Sequence, residues 1–182
     1  PGSTFKILAA YSAALDAGGL TLASVQDDAP YTYAGANGKS VNNYDRRYRG
    51  FTTLREAITD SINIVTVKTL AQAGVSLGWQ YVQEYGFTTV DSRDMNEALA
   101  LGGITQGVSN LELTAAYAAI ANQGTYIKPK FYTKILDHDG NVLIDNTTPE
   151  SHTVIKDTTA WLLTSAMEDV MTSGTGTSAY FG

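Results

Sequence analysis

The sequence predicts an α+β fold that is rich in helix, carries one β-hairpin and has too few strands for a complete central sheet. Three observations lead there. Apolar residues recur at spacings of three and four through several segments, the mark of helices with one buried face. The period changes between Tyr126 and Asp145, where two short strand-like runs flank a turn. Few strands are visible elsewhere for a complete α/β or α+β domain.

Taken in order, Thr4 to Ala17 places Phe5, Leu8, Tyr11, Ser12 and Leu15 on one helical face, and Gly18-Gly19 ends it. Asp27 to Gly50 is rich in Gly, Asn, Tyr and Asp and reads as a long, mostly irregular connection, of the kind that lines sites. Thr53 to Asp60 reads as a short helix with Thr52 or Thr53 as cap and Glu56 in its first turn. Asn63 to Ala73 is a second helix closed by Gly74, and Ser76 to Tyr85 a third closed by Gly86. Leu99 to Gly107 is a glycine-bearing loop. Ser109 to Asn122 is a helix with a capping box, Ser109 and Glu112, and Gln123-Gly124 ends it. Residues 131–136 and 141–144 flank the turn Asp137 to Gly140, which gives the hairpin. Asp157 to Met171 is the last helix, followed by the glycine-threonine run Thr172 to Ser178.

Composition narrows the function. The chain has 182 residues, a length suited to one domain, with 43% apolar and 16% charged residues. The net charge of −6 and the scattered acidic residues argue against nucleic acid, which needs a basic stripe; Asp45-Arg46-Arg47-Tyr48-Arg49 is too short to be one. There are no cysteines, so disulfides and thiolate metal sites are excluded. The two histidines, His138 in a turn and His152 in a polar stretch, read as solvated residues, so a serine nucleophile here needs a base other than histidine. No run of about 18 apolar residues exists to span a bilayer.

Ser3-Thr4-Phe5-Lys6 supplies such a pair. Residues three apart share a helix face, so the Lys6 amine can reach the Ser3 hydroxyl. A helix N-terminus favours developing negative charge on the serine or its adduct, and a buried lysine can be neutral enough to act as base. Alone the pattern is weak, since ordinary composition gives on the order of one match in a chain this long; the plain reading is an N-cap serine followed by a surface lysine. Ser61-Ile62-Asn63 is the second candidate. Its serine can relay a proton to a leaving group, and its amide can hold a substrate carbonyl and the Lys6 side chain. Ser40-Val41-Asn42 matches the same pattern, but Ser61 sits in a tight turn between helices, which positions it more rigidly.

Pro-Gly-Ser-Thr-Phe-Lys at 1–6 resembles the first motif of class A penicillin-binding proteins, and Ser61 to Lys68 their second. Asn43-Tyr44-Asp45, Tyr48-Arg49-Gly50 and Thr53 to Ile58 resemble the stretch that precedes that second motif. Leu101-Gly102-Gly103, Gly107 to Glu112, Ala115 to Gly124 and the hairpin at Asp139 to Leu143 continue the resemblance in order through the whole chain. The resemblance implies the transpeptidase (serine β-lactamase-like) fold. It implies a transpeptidase domain over 1–182 that begins at the Ser-x-x-Lys motif and stops short of the family's third motif, Lys-Thr-Gly. That triplet is absent; Thr172 stands where its lysine would be before Ser173-Gly174. A domain cut at both ends explains the shortage of strands and leaves sheet edges through which a dimer can form.

The family's reaction implies Ser3 as acylated nucleophile, Lys6 as its proton-handling partner, and Ser61 and Asn63 in support, with no cofactor and no metal. Its partners are the D-Ala-D-Ala ends of peptidoglycan stem peptides and the β-lactams that mimic them, on the extracytoplasmic face of a bacterial membrane reached through other parts of the protein. Two alternatives remain open. A class A β-lactamase needs a glutamate followed four residues later by asparagine, which none of Glu56, Glu84, Glu97, Glu112, Glu150 and Glu168 has. A non-catalytic β-lactam sensor or scaffold would have no downstream Lys-Thr-Gly. An impaired or inactive fragment is expected while the third motif is missing.

Overall fold

The computed structural model describes residues 1–34 and 38–179. The parts of the expected connection at 35–37 and of the expected domain at 180–182 lie outside the described residues. The chain opens with a continuous helical run over residues 2–16, built from a 3-10 turn at Gly2–Thr4, a π-helical segment at Ile7–Tyr11 and helix α1 at Ser12–Asp16. The single buried face expected of it is a correction to make: every residue from Phe5 to Ala14 is buried. Ala9, Ala10, Ala13 and Ala14 fill the face expected to be outward, and their small side chains let neighbouring helices close over it, so the run is the central helix of the core. Its polar groups are paired inside: Tyr11 Oη lies 2.8 Å from Thr66 Oγ1, and Ser12 Oγ 2.9 Å from Tyr85 Oη.

Helix α2 spans Leu54–Thr59, with Thr53 and Glu56 forming a reciprocal capping box. Helix α3 spans Asn63–Ala73 and α4 spans Val75–Glu84, with Gly74 at φ 106° between them. Both pack on the central run. Helix α5, Asn110–Ala121, carries the expected Ser109–Glu112 capping box, and α6, Asp157–Thr172, packs on α2 and α5. Arg55 on α2 binds Asp169 on α6 through Nε at 2.6 Å, which ties those two helices beside the cleft described below.

Among the described residues, four antiparallel strand pairs sit around this helical core. The connection expected to be mostly irregular contains strands: β1 (Val25–Asp28) pairs with β4 (Gly50–Thr53), and β2 (Tyr31–Thr32) with β3 (Ser40–Val41). Strands this short carry no readable alternation, so backbone pairing across the loop, not side-chain pattern, makes them. Strand β5 (Thr125–Ile127) pairs with β8 (Ser151–Thr153). Strands β6 (Lys134–Leu136) and β7 (Val142–Asp145) form the expected hairpin. Among the described residues no sheet exceeds two strands, in keeping with an incomplete α+β fold. No helix among them is long and apolar enough to cross a membrane.

Candidate active site

Lys6 is the expected site residue with the most polar contacts to the others. It stands one turn into the central helical run, just before the π-helical segment, and is buried. π-Segments inside helices recur at functional sites because they re-aim one turn of side chains. The Lys6 Nζ donates to Ser61 O at 2.6 Å and to Asn63 Oδ1 at 2.6 Å, and lies 2.9 Å from Ser61 Oγ. Three oxygens therefore match the three hydrogens of an ammonium group. In the neutral amine the two N–H bonds serve the carbonyl and the amide oxygen, and the lone pair is left facing the Ser61 hydroxyl. Burial pulls the lysine down to about 8, so roughly a tenth of it is neutral at pH 7.

The turn that holds Ser61 has an identifiable cause. Helix α2 stops at Thr59, Ser61 adopts φ 52°, and Ile62 N–H reaches back to Ala57 O at 2.9 Å. A non-glycine residue in the left-handed region is held there against a local cost of roughly 1 kcal/mol or more. The conformation turns both the carbonyl and the hydroxyl of Ser61 toward Lys6. Asn63 follows as the first residue of α3, with its Nδ2 donating to Asn42 O at 2.8 Å. One of its two amide hydrogens is thereby committed; the other has no acceptor among the described residues.

Ser3 lies in the 3-10 turn, exposed at the floor of a cleft. One lobe of about 480 Å³ is bounded by Asn43, Tyr44, Asp45, Arg49 and the Asp60–Asn63 turn. A second lobe of about 400 Å³ is bounded by Lys6, Ile58, Tyr117, Met167, Val170 and Met171. Ser3, Ser61 and Thr175 border both lobes. The structure thus brings all four expected residues to one cleft, but it does not join them all: Lys6 is bonded to Ser61 and Asn63, and no hydrogen bond links it to Ser3 among the described residues. Ser40, the other serine of a Ser-x-Asn pattern, pairs in β3 with Thr32. His138 is exposed in the hairpin turn beside Asp139, and His152 lies on β8 with Nε2 2.8 Å from Glu84 O.

A scan against family models matches residues 1–180 to the penicillin binding protein transpeptidase domain. The chain belongs to this family. Penicillin-binding protein 1F of Bacillus subtilis is 38% identical over 181 residues, covering 100% of this chain and 24% of that protein. Among solved structures, penicillin-binding protein 1A of Haemophilus influenzae superposes with a TM-score of 0.81 at 28% identity, over 96% of this chain and 30% of that one. An imipenem acyl-enzyme complex of penicillin-binding protein A from M. tuberculosis shares the fold, with a TM-score of 0.81 at 21% identity over 94% of this chain and 43% of that one. The relatives are class A penicillin-binding proteins. The chain spans about a quarter of the length of the curated relatives it matches.

Sequence reasoning left three supports of this transpeptidase domain's cleft without a role. Gly102, at φ 73°, lets the Leu101-Gly102-Gly103 loop lie against the Ser3 turn; a Cβ there would meet Gly2 O at 2.7 Å and Gly2 N at 2.8 Å. Tyr117 donates its hydroxyl to Thr4 O at 2.6 Å, and burial pushes that phenol up to about 12. Asn43 is buried and accepts backbone N–H groups of α3. The glycine pair and Asn43 stood within stretches resembling the family, but nothing in their spacing says what they touch.

Proposed function

We propose that this domain is a D,D-transpeptidase that cross-links peptidoglycan stem peptides through an acyl-Ser3 intermediate, with Lys6 as base and Ser61 as proton relay. The observation that carries the reading is the Lys6 cage: a buried lysine, lowered toward neutrality, held by Ser61 and Asn63 on the same cleft as a serine one turn away. The neutral Lys6 amine turns its lone pair from the Ser61 hydroxyl to Ser3 and takes the Ser3 proton as Ser3 Oγ bonds to the penultimate D-Ala carbonyl carbon. The tetrahedral adduct collapses, the C–N bond to the terminal D-alanine breaks, and the departing amine receives the proton by way of Ser61. An amine from a second stem peptide then attacks the ester carbonyl, gives its proton to Lys6, and expels Ser3 Oγ, which regains a proton. The uncommitted Asn63 amide hydrogen is available to the substrate backbone. Oxyanion stabilisation from Ser3 N–H follows from its place in the first turn, where helix N–H groups have no intrahelical acceptor.

A β-lactam follows the first half of this path. Its ring amide opens onto Ser3, and no leaving amine departs to make room for an acceptor, so the ester persists. The imipenem acyl-enzyme of the M. tuberculosis protein supports β-lactams as ligands of this fold. The same reading puts the domain on the extracytoplasmic face of a bacterial membrane. It assigns the carboxylate-binding role of Lys-Thr-Gly to sequence outside these residues, a view supported by the greater length of the relatives.

The test is benzylpenicillin incubated with the full-length protein and with its Ser3→Ala variant, followed by intact mass. One stable adduct on the parent and none on the variant is expected. An adduct that survives in Ser3→Ala moves the nucleophile elsewhere. No adduct and no drug turnover in a folded parent replaces the enzyme reading with a scaffold domain, whereas rapid turnover points to a β-lactamase.

A further inference from the structure

We propose that Asn43 and Asp28 are positioning residues for the Lys6 cage: Asn43 caps α3 from outside the helix, and Asp28 fixes which way the Asn43 amide faces. The argument begins at the start of α3. Its own N-cap is Ile62, whose side chain has no oxygen to offer and makes no cap bond. The first N–H groups of a helix need acceptors from elsewhere. Asn43, 20 residues earlier, supplies one: its Oδ1 accepts from Asn63 N at 3.0 Å and from Ile64 N at 3.2 Å. The adjacent Asn42 carbonyl takes the Asn63 side-chain amide at 2.8 Å. Two neighbouring residues thus hold Asn63 by backbone and by side chain, with its Oδ1 aimed at Lys6.

An amide can face either way, and Asp28 decides. It is fully buried, at 0% exposure. Both its oxygens accept from Asn43 Nδ2, at 2.8 and 3.0 Å, and Oδ2 also accepts from Arg49 N at 2.9 Å. A carboxylate can only accept, so the flipped amide would set Oδ1 against it and present N–H groups to the N–H groups of α3. Arg47 O accepts from the same Nδ2 at 2.8 Å, which agrees with that orientation. The chain of contacts runs Asp28, Asn43, α3 N-terminus, Asn63, Lys6, and every link is a directional bond inside the protein.

The inference rests on the proposed role of Lys6 but can be separated from it. The experiment uses the full-length protein with four variants: Asn43→Ala, Asn43→Asp, Asp28→Asn, and the exchange Asp28→Asn with Asn43→Asp. Two quantities are read: the pH dependence of benzylpenicillin acylation, and the titration of Lys6 followed by its 13Cε resonance. Asn43→Ala is expected to slow acylation at least about tenfold at pH 7 and to move the Lys6 titration upward as water enters the loosened cage. Asn43→Asp is expected to do worse, because two carboxylates then face each other. Asp28→Asn alone is expected to fall between the parent and Asn43→Ala, because an amide at position 28 no longer dictates which way Asn43 faces. The exchange is expected to do better than Asn43→Asp alone, since the amide introduced at position 28 can donate to one oxygen of the carboxylate introduced at position 43 while the other oxygen keeps the two α3 N–H groups; recovery stays partial because Arg47 O, which accepts from Asn43 Nδ2, then faces a carboxylate. If Asn43→Ala lowers only the melting temperature, leaving the pH profile and the Lys6 titration of the folded protein unchanged, the positioning role is wrong. If the exchange does no better than Asn43→Asp alone, which loses the same Arg47 O contact, the orientation argument is wrong. A parent that takes up no penicillin overturns the proposed reaction alone, and the Lys6 titration then decides the positioning role by itself.

Discussion

The two walls of the cleft above Ser3 are built by opposite means. One is the turn between α2 and α3, where Lys6, Ser61, Asn63 and Asn43 are joined by directional hydrogen bonds, most within 3 Å. The other is the apolar face of Ile58, Met167, Val170 and Met171, with Tyr117 and Thr175 beside it, in the lobe that Lys6 and Ser61 also border. Directional bonds between buried groups admit one arrangement, and a missing partner leaves a desolvated atom unpaired. Apolar contacts are non-directional and flexible methionine repacks readily. The first wall suits proton transfer, which needs atoms placed to within a fraction of an ångström; the second suits shape and exclusion of water. The comparison is sharpened or broken by changing one wall at a time.

The largest effect belongs to the polar wall. Lys6→Ala is expected to lower the second-order rate of acylation by about 10²- to 10⁴-fold, the range of a general base. Lys6→Arg should be no better, because guanidinium does not give up its proton near neutral pH. The parent's pH profile carries the same logic with a definite sign. The neutral amine is the active form, so the rate should climb about tenfold per pH unit below the Lys6 value of about 8 and level off above it. A rate that falls as pH rises through 8 would mean that the ammonium form is the one used. Stopped-flow acylation across pH 6 to 10 distinguishes the two.

How much of this was readable beforehand differs between fold and site for physical reasons. Helix α3 has the predicted bounds, Asn63–Ala73, the cap of α2 is Thr53, one of the two residues the sequence allows, and the Ser109–Glu112 capping box stands where the sequence places it. Caps and period are local, so they leave a local trace. The β1–β4 and β2–β3 pairs did not, since strands of two to four residues are shorter than one readable alternation. Nor could Ile-Leu-Ala-Ala-Tyr announce a π-helical segment, because its composition suits an α-helix equally. In the site, Ser3, Lys6, Ser61 and Asn63 were nameable by resemblance. The Asp28–Asn43 support joins residues 15 apart, and Asn43 reaches α3 from 20 residues away; such contacts have no period to detect. The glycine at 102 was visible, yet its reason, the close approach of Gly2, exists only in three dimensions.

The apolar wall gives the intermediate effect. Met167 packs against the core from a partly buried position on α6. Met167→Ala should cost about 1 to 2 kcal/mol of stability, below the range for a fully buried methionine, as read from denaturant unfolding. The acylation rate should stay within about threefold of the parent, because no proton passes through this face. A loss of a hundredfold or more would show that the apolar wall does more than shape the cleft, and the contrast drawn between the two walls would have to be abandoned.

The hairpin marks the far end of the scale. All of β6 and β7 is exposed, and Leu143 is 64% exposed. A lone hairpin is marginal in water, and here backbone pairing, a 3.4 Å Lys134–Asp145 contact and the Asn146 N–H bond to Thr133 O hold it together with little burial. Leu143→Gln removes almost no buried apolar area, so the unfolding free energy should stay within about 0.5 kcal/mol of the parent and the acylation rate should not change. A loss of more than about 1 kcal/mol in the full-length protein would show that Leu143 is covered there, since an exposed leucine has no contacts whose removal could produce it.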